Sequence, residues 1–427
     1  MAILLKNGRV LDGRNHLVPM DVLIVGDTIQ ALGQDLDEQL DPTDLTIEDL
    51  NGQFLAPGFV DLHVHYRDPG LTEKETVETG SAAAARGGFT TVCAMPNTKP
   101  VPDTVDTFKA MQARNTEDAK IHVEQYAPIT KVLTSEELTD IAALAEAGAV
   151  SFTNDGVGVQ TAGTMYEAMQ AVAAVDGILT AHTEDNSLLY GGVMHAGKKN
   201  KDANLPGMLG LTESTQIARD VLLAEATGVH YHVCHVSTKE SVRVIKDAKR
   251  AGIHVTCEVT PHHLLLTEDD VDPKNANYKM NPPLRSRADR EALRAGLLDG
   301  TIDCIATDHA PHTDTDKAAG FLKAPFGIIG SETCFPMLYT HLVKEGLMTL
   351  QDLVDHLTCR PAACFNLPGG KLAVGQPADL TVIALDQTET LTDDYFASKS
   401  RNTPWLGETV HSRIEGTMCA GQWVFKR

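Results

Sequence analysis

The chain has 427 residues, 42% hydrophobic and 22% charged, with 36 Lys and Arg against 58 Asp and Glu, a net charge of −22. That length buries a large core, and the acidic balance repels nucleic acid and anionic membranes, so neither is expected as a partner. No run approaches 18 uninterrupted apolar residues, MAILLKNGRVLDG lacks the pattern of a signal peptide, and the eight cysteines are scattered without a CxxC pair; a cytoplasmic protein with free thiols is expected.

In chain order, residues 1–55 carry short strand-like runs, ILLKNGRVLD, MDVLIVGDTIQALG and LTIEDLNGQFL, with turn chemistry at Asn7-Gly8 and Gly26-Asp27. The tail has the same texture in KLAVGQPADLTVIAL and SRIEGTMCAGQWVFKR. Both ends together predict one small β-sandwich domain, 1–55 plus 365–427. Between them, apolar strand candidates fall at 56–65, 90–96, 120–128, 149–154, 177–183, 230–236, 253–260 and 303–308. Helical patterns at 73–86, 135–147, 212–227, 238–251 and 288–298 separate most of them. Eight strands alternating with helices predict an α/β fold, a (β/α)8 TIM barrel over 56–364, with an open doubly wound sheet as the alternative. The polar stretch 313–323 reads as a mobile loop.

Working residues of such a barrel sit at the C-terminal ends of its strands. In PGFVDLHVHYRDP, His63 and His65 stand two apart and share one strand face, with Asp61 one step earlier and Arg67 one step later. Asn97 closes the second strand, Asp155 the fourth, His182 the fifth, His235 the sixth and Asp308 the eighth, while Asn281 follows the seventh. Four imidazoles and two carboxylates at one mouth match a two-metal hydrolytic site. His63, His65 and Asp308 would hold one ion, His182 and His235 the second, and Asp155 would bridge them. Neutral imidazole and carboxylate suit zinc, and paired ions lower the pKa of a shared water toward ~7. Asp308 is placed to take its proton and pass it to a leaving nitrogen.

Other candidates have weaker claims. His230 and His232 have the opposite parity from His235 and read as wall or core residues. His262 and His263 would face opposite ways on a strand, which suggests structural roles. His309 would face the helix layer, Asp61 would orient a ligand histidine, and Cys93 and Cys304 would fill the barrel interior. No GxSxG elbow, P-loop or GxGxxG fingerprint is present.

Taken together, PGFVDLHVHYRDPG, AMPNT, FTNDG, AHTED, CHVST, MNPPLR and ATDHAPH resemble the bacterial type I dihydroorotases of the amidohydrolase superfamily. The likeness runs the whole chain and includes GQPADL at 375–380. It implies interconversion of L-dihydroorotate and N-carbamoyl-L-aspartate in pyrimidine biosynthesis, with two zinc ions per chain. It implies zinc ligands at His63, His65, Asp155, His182, His235 and Asp308, with Asp308 also the general acid and base. Substrate contacts are implied at His65, Arg67, Asn97, Asn281, His312, Phe326 and Gly327. A homodimer, and association with aspartate transcarbamoylase, are the implied partners beside the small anionic substrate. Many relatives, hydantoinases included, bridge their metals with a carboxylated lysine. SFTNDG offers Asp155 instead, which weakens the hydantoinase or allantoinase alternative. Arg67 and Asn97 suit a substrate carboxylate. The other alternative, an inactive scaffold for aspartate transcarbamoylase, would be expected to have lost ligands, and none is missing.

Overall fold

Apolar runs of period two alternate with capped amphipathic stretches, and the computed structural model, which describes residues 2–39 and 45–427, closes the middle of the chain into a ring. Met1 and 40–44, part of the expected 1–55 segment, lie outside the described residues. The ring strands are, in order, Phe59–Val64, Phe89–Ala94, His122–Gln125 continued by Ala127–Pro128, Phe152–Thr153, Ile178–Ala181, His230–Val233, Val255–Val259 and Cys304–Ile305. Each pairs with the next in parallel. A parallel bridge between Val64 and His309, with the His65 amide donating to the His309 carbonyl at 2.8 Å, joins the eighth strand to the first. This is the (β/α)8 barrel. The first strand is buried at all six positions, as a strand lying between a packed barrel interior and a helix layer must be.

The helices form for local reasons. Lys239–Arg250 starts where the Thr238 hydroxyl accepts from the Ser241 amide, and it buries Ser241, Val242, Ile245 and Ala248 on one face. Val77–Arg86 begins four residues later than the pattern suggests, because Thr76 and Thr79 form a reciprocal cap there. The expected helix over 135–147 is only Ile141–Glu146. Val132 and Leu133 take positive φ, and a Thr130–Leu138 bridge ties that stretch into a loop. The expected mobile loop contains a short helix, Asp314–Ala318, capped by Thr313 and anchored by Lys317. The Lys317 ammonium is buried and donates to the carbonyls of Lys279 and Pro325 at 3.1 and 3.0 Å.

The terminal segments share one sheet. Strands Ala2–Leu11, Leu17–Val25, Thr28–Gly33, Leu45–Asp49 and Phe54–Pro57 join Leu380–Ala384, Arg413–Cys419 and Gln422–Lys426. Gly26-Asp27 makes the expected hairpin turn. Asn7-Gly8 instead makes a bulge within one continuous strand, where the register shifts between Leu5 and Gly8. A Thr28–Pro377 bridge brings the far edge of the sheet back against its middle, so the sandwich is a single sheet curled over Leu5, Ile24, Ile29, Leu55, Leu380 and Met418. Residues 389–411 leave that sheet altogether. Leu391, Tyr395, Phe396 and Trp405 pack on Ile329 and Met337 at the barrel rim. Among the described residues no helix is long and apolar enough to cross a membrane.

Candidate metal and substrate site

The C-terminal mouth of the barrel collects the predicted side chains. His63 Nε2 lies 3.3 Å from Asp155 Oδ1 and 3.4 Å from Asp308 Oδ1. His65 Nε2 lies 3.3 Å from Asp155 Oδ2 and 3.1 Å from Asp308 Oδ1. Across the mouth, His182 Nδ1 and His235 Nε2 are 2.9 Å apart, and both converge on Asp155 Oδ1 at 3.5 and 3.8 Å. The structure therefore brings all six together, with Asp155 between the two pairs of imidazoles. His235 and Asp308 lie just past their strands at φ 30° and 49°, a backbone region that non-glycine residues seldom occupy and that recurs at functional sites.

A buried carboxylate, Glu258, fixes His63 from behind. Its Oε1 is 2.7 Å from His63 Nδ1, and its Oε2 is 3.2 Å from His232 Nε2. Sequence reasoning missed it, although a lone charge inside the apolar strand TCEVT was a legible signal. Asn97 Oδ1 accepts from His65 Nδ1 at 2.9 Å, which leaves the Asn97 amide nitrogen for a ligand. Asp61, expected to orient a ligand imidazole, instead accepts from the His63 and Thr307 amides and the Thr307 hydroxyl, tying the first strand to the eighth. Its carboxyl is spent on the frame.

The donor set fits a cation. His63 Nε2 and Asp155 Oδ1 are buried and face each other without a hydrogen-bond partner among the described residues. Burial pushes both site carboxylates up, yet His63 and the neighbouring imidazoles outweigh it and hold Asp155 and Asp308 below the usual carboxylate range. Against its own burial, His182 is pushed up to about 10 by the nearby carboxylates of Asp155 and Glu184. The cluster draws positive charge to the space between its rings, in a setting of nitrogen and oxygen donors that suits a divalent metal.

One wall of the same cavity, of about 190 Å³, is positive. Arg67, at φ 60°, turns the chain off the strand and holds its guanidinium with an Nε–H bond to the Pro311 carbonyl at 3.3 Å. Burial lowers it to about 10, so it stays charged at neutral pH. No carboxylate of the described residues lies within ion-pair distance of it: Asp68 pairs with Arg114 at 2.6 Å, and Asp61 is engaged by Thr307. His312 Nε2 lies 3.4 Å from Arg67 Nη2 and 2.8 Å from the Phe326 carbonyl, while its Nδ1 is 3.3 Å from Lys74 Nζ. Burial, then Arg67 and the nearby lysines, push His312 down to about 2, so it is neutral.

Phe326 and Gly327 line the cavity with their backbones partly committed, since the Gly327 amide donates to the Lys279 carbonyl at 3.0 Å. Gly327 has φ 129°, and a Cβ there would come within 2.7 Å of Ala310 Cβ. Asn281 Nδ2 donates to Glu184 Oε2 at 2.6 Å, and Glu184 lies 3.8 Å from His182 Nε2. Asn402, from the segment that left the terminal sheet, donates to the carbonyls of Ala310 and Gly327 at 3.0 Å and accepts from the His312 amide at 3.1 Å. Nothing in SRNTPW signalled that role.

The remaining histidines lie around this centre. His230 stacks on His254 at 4.0 Å, and His309 is buried beside Glu75 at 3.5 Å. His262 and His263 stand on a short helix, Pro261–Leu265, so strand parity does not apply to them. Cys93 and Cys304 pack in the barrel interior with Leu62, Tyr126 and Phe365.

Glu258→Gln keeps the shape and removes the charge that orients His63. Metal affinity, measured by competition with a chelator, is expected to fall roughly 10- to 100-fold, the usual loss for an outer partner of a metal ligand. Unchanged affinity with a lowered Tm would show that Glu258 serves the fold alone.

A family model described as Dihydro-orotase-like matches residues 52–241. Dihydroorotases of Staphylococcus aureus and Staphylococcus epidermidis are 57% and 56% identical over 424 and 423 residues, 99% of this chain and 99% of each of theirs. Among solved structures, an L-hydantoinase (dihydropyrimidinase) from Arthrobacter aurescens matches with a TM-score of 0.87 at 29% identity, covering 99% of this chain and 96% of that one. A D-hydantoinase (dihydropyrimidinase) from a Thermus species matches with 0.84 at 25% identity, covering 99% and 95%.

Proposed function

The chain belongs to the dihydroorotase family, and from that premise we infer that the cavity at the barrel mouth opens the ring amide of L-dihydroorotate and closes N-carbamoyl-L-aspartate in the reverse direction. The observation that carries this reading is Arg67, a buried, charged guanidinium without an ion pair among the described residues, lining the same cavity as the imidazole and carboxylate cluster. A substrate carboxylate is the partner it lacks.

His63, His65 and Asp308 would hold one zinc ion, His182 and His235 a second, with Asp155 shared. Bound there, the two ions would supply Lewis acidity and lower the pKa of water toward ~7. The chain does the rest. Glu258 and Asn97 fix the orientations of His63 and His65 through their Nδ1 atoms. Asp308, ionised and facing the cavity, accepts the proton of the attacking water and returns it to the leaving ring nitrogen. Arg67 and the Asn97 amide nitrogen bind the substrate carboxylate, and neutral His312 stands beside Arg67 without competing for it. The same resemblance supports a cytoplasmic homodimer able to associate with aspartate transcarbamoylase. All eight cysteines are free, which suits a reducing compartment.

A hydrolysis assay on dihydroorotate and on dihydrouracil, a ring without the carboxylate, tests the reading. Arg67→Lys keeps a charge and loses the planar fork, so kcat/KM on dihydroorotate should fall roughly 10- to 150-fold, the ~1.5–3 kcal/mol of a charged hydrogen bond. Any turnover of dihydrouracil should change far less. Equal losses on both rings, with a lowered Tm, would assign Arg67 to the fold and leave the carboxylate to another group.

A further inference from the structure

On the opposite face of the barrel, the terminal sheet meets the floor through three side chains that the reaction does not use. The strands Leu380–Ala384 and Arg413–Cys419 are antiparallel, with Leu380 opposite Met418. Asp379 and Cys419 therefore come together at the end of that pair. His122, the first residue of the third barrel strand, reaches them from the floor. Its Nε2 lies 3.3 Å from Asp379 Oδ2, and one donor atom from each of His122, Asp379 and Cys419 falls within 4.8 Å of the others.

The carboxylate is aimed: Asp379 Oδ1 is occupied by the Ala420 amide at 2.7 Å, which turns Oδ2 toward the imidazole. The Cys419 thiol, beside His122, makes a long contact of 3.7 Å to the Thr90 carbonyl, so little is lost if it turns to an ion. Asp379 and Cys419 are 5% and 6% exposed, whereas the His122 side chain is 44% exposed and leaves an entry path. Nitrogen and oxygen donors each ~2.0–2.1 Å from a tetrahedral zinc lie about 3.3 Å apart, the separation found here, and a thiolate at ~2.3 Å completes a donor set of borderline softness.

We propose that His122, Asp379 and Cys419 bind a divalent cation of zinc's class that pins the terminal sheet to the barrel floor. Three protein ligands leave the fourth position to water from the exposed His122 side. Binding releases the Cys419 thiol proton, and any proton on His122, to solvent. The N-terminal face of such a barrel serves stability, so the site acts on the fold and leaves turnover unchanged.

The test compares the full-length protein with Cys419→Ser and His122→Ala, which share every residue of the barrel mouth, so the outcome is independent of what binds there. After equilibration with excess zinc and desalting, each variant should carry one metal equivalent fewer per chain than the parent. Cobalt loading should show a thiolate-to-cobalt charge-transfer band that both variants lose. Zinc should raise the Tm of the parent more than that of either variant, while turnover of dihydroorotate stays equal. His122 is exposed enough for its replacement to leave the packing intact, so it carries the test if Cys419→Ser proves unstable. Equal metal content and equal cobalt spectra in all three proteins would overturn the proposal and leave the trio as a hydrogen-bonded joint.

Discussion

Removing divalent metal with a strong chelator is expected to abolish hydrolysis of dihydroorotate, and zinc returned to about two per chain to restore it. The chain's own charges argue for so complete a loss. Asp155 stands within 3.3–3.8 Å of four imidazoles, and the rings of His182 and His235 direct nitrogens at each other across 2.9 Å. Without a cation, the carboxylates draw protons onto His63 and His182 and hold them there. Returning metal must displace those protons, and buried donors left without partners destabilise the mouth. The apo protein should therefore melt at a lower temperature than the reloaded one. Titrating zinc back while following activity distinguishes one working ion from two. Full activity at one equivalent per chain would remove the binuclear form of the site and leave the family intact.

The mouth was legible because its residues sit where a barrel puts them. His63, His65, Asn97, Asp155, His182 and Asp308 stand at or just past the ends of apolar strands, and a strand's end can be read from its composition. What lies behind them was harder. Glu258 works from inside the seventh strand, and its partner His63 is 195 positions away, a pairing that only barrel closure creates. Asn402 reaches the site from a segment that looks like part of the terminal sheet. Parity also failed locally. His235, Asp308 and Arg67 take positive φ, so the chain leaves the strand before their side chains are placed. His262 and His263 fall on a helix that Thr260 caps and Pro261 opens, although TCEVTPHH continues an apolar strand in sequence. The loop after the eighth strand is pinned by the buried Lys317, whose polar flanks concealed it.

Asp308→Asn is expected to lower kcat on dihydroorotate at least ~10²-fold, the low end of what general acid and base catalysis supplies. The substitution is conservative in every respect but one. Asparagine matches the size of the side chain and tolerates the left-handed backbone that residue 308 adopts at φ 49°, so the turn at the strand end should survive. What it loses is the anionic oxygen that lies 3.1 Å from His65 and 3.4 Å from His63. Burial opposes that charge, but the neighbouring imidazoles of His63 and His65 outweigh it, so Asp308 is ready to accept a proton at neutral pH. The other candidate base at the mouth, His312, is poorly suited. Its two ring nitrogens already face the Phe326 carbonyl and Lys74, and its basicity is pushed down to about 2 by burial and by Arg67. Because Asp308 would also be a metal ligand, metal content must be measured on the same sample. A variant that keeps its metal and loses turnover has lost the proton acceptor, whereas one that loses both in proportion has lost the ion. Near wild-type turnover by a fully loaded variant would place the base on another residue.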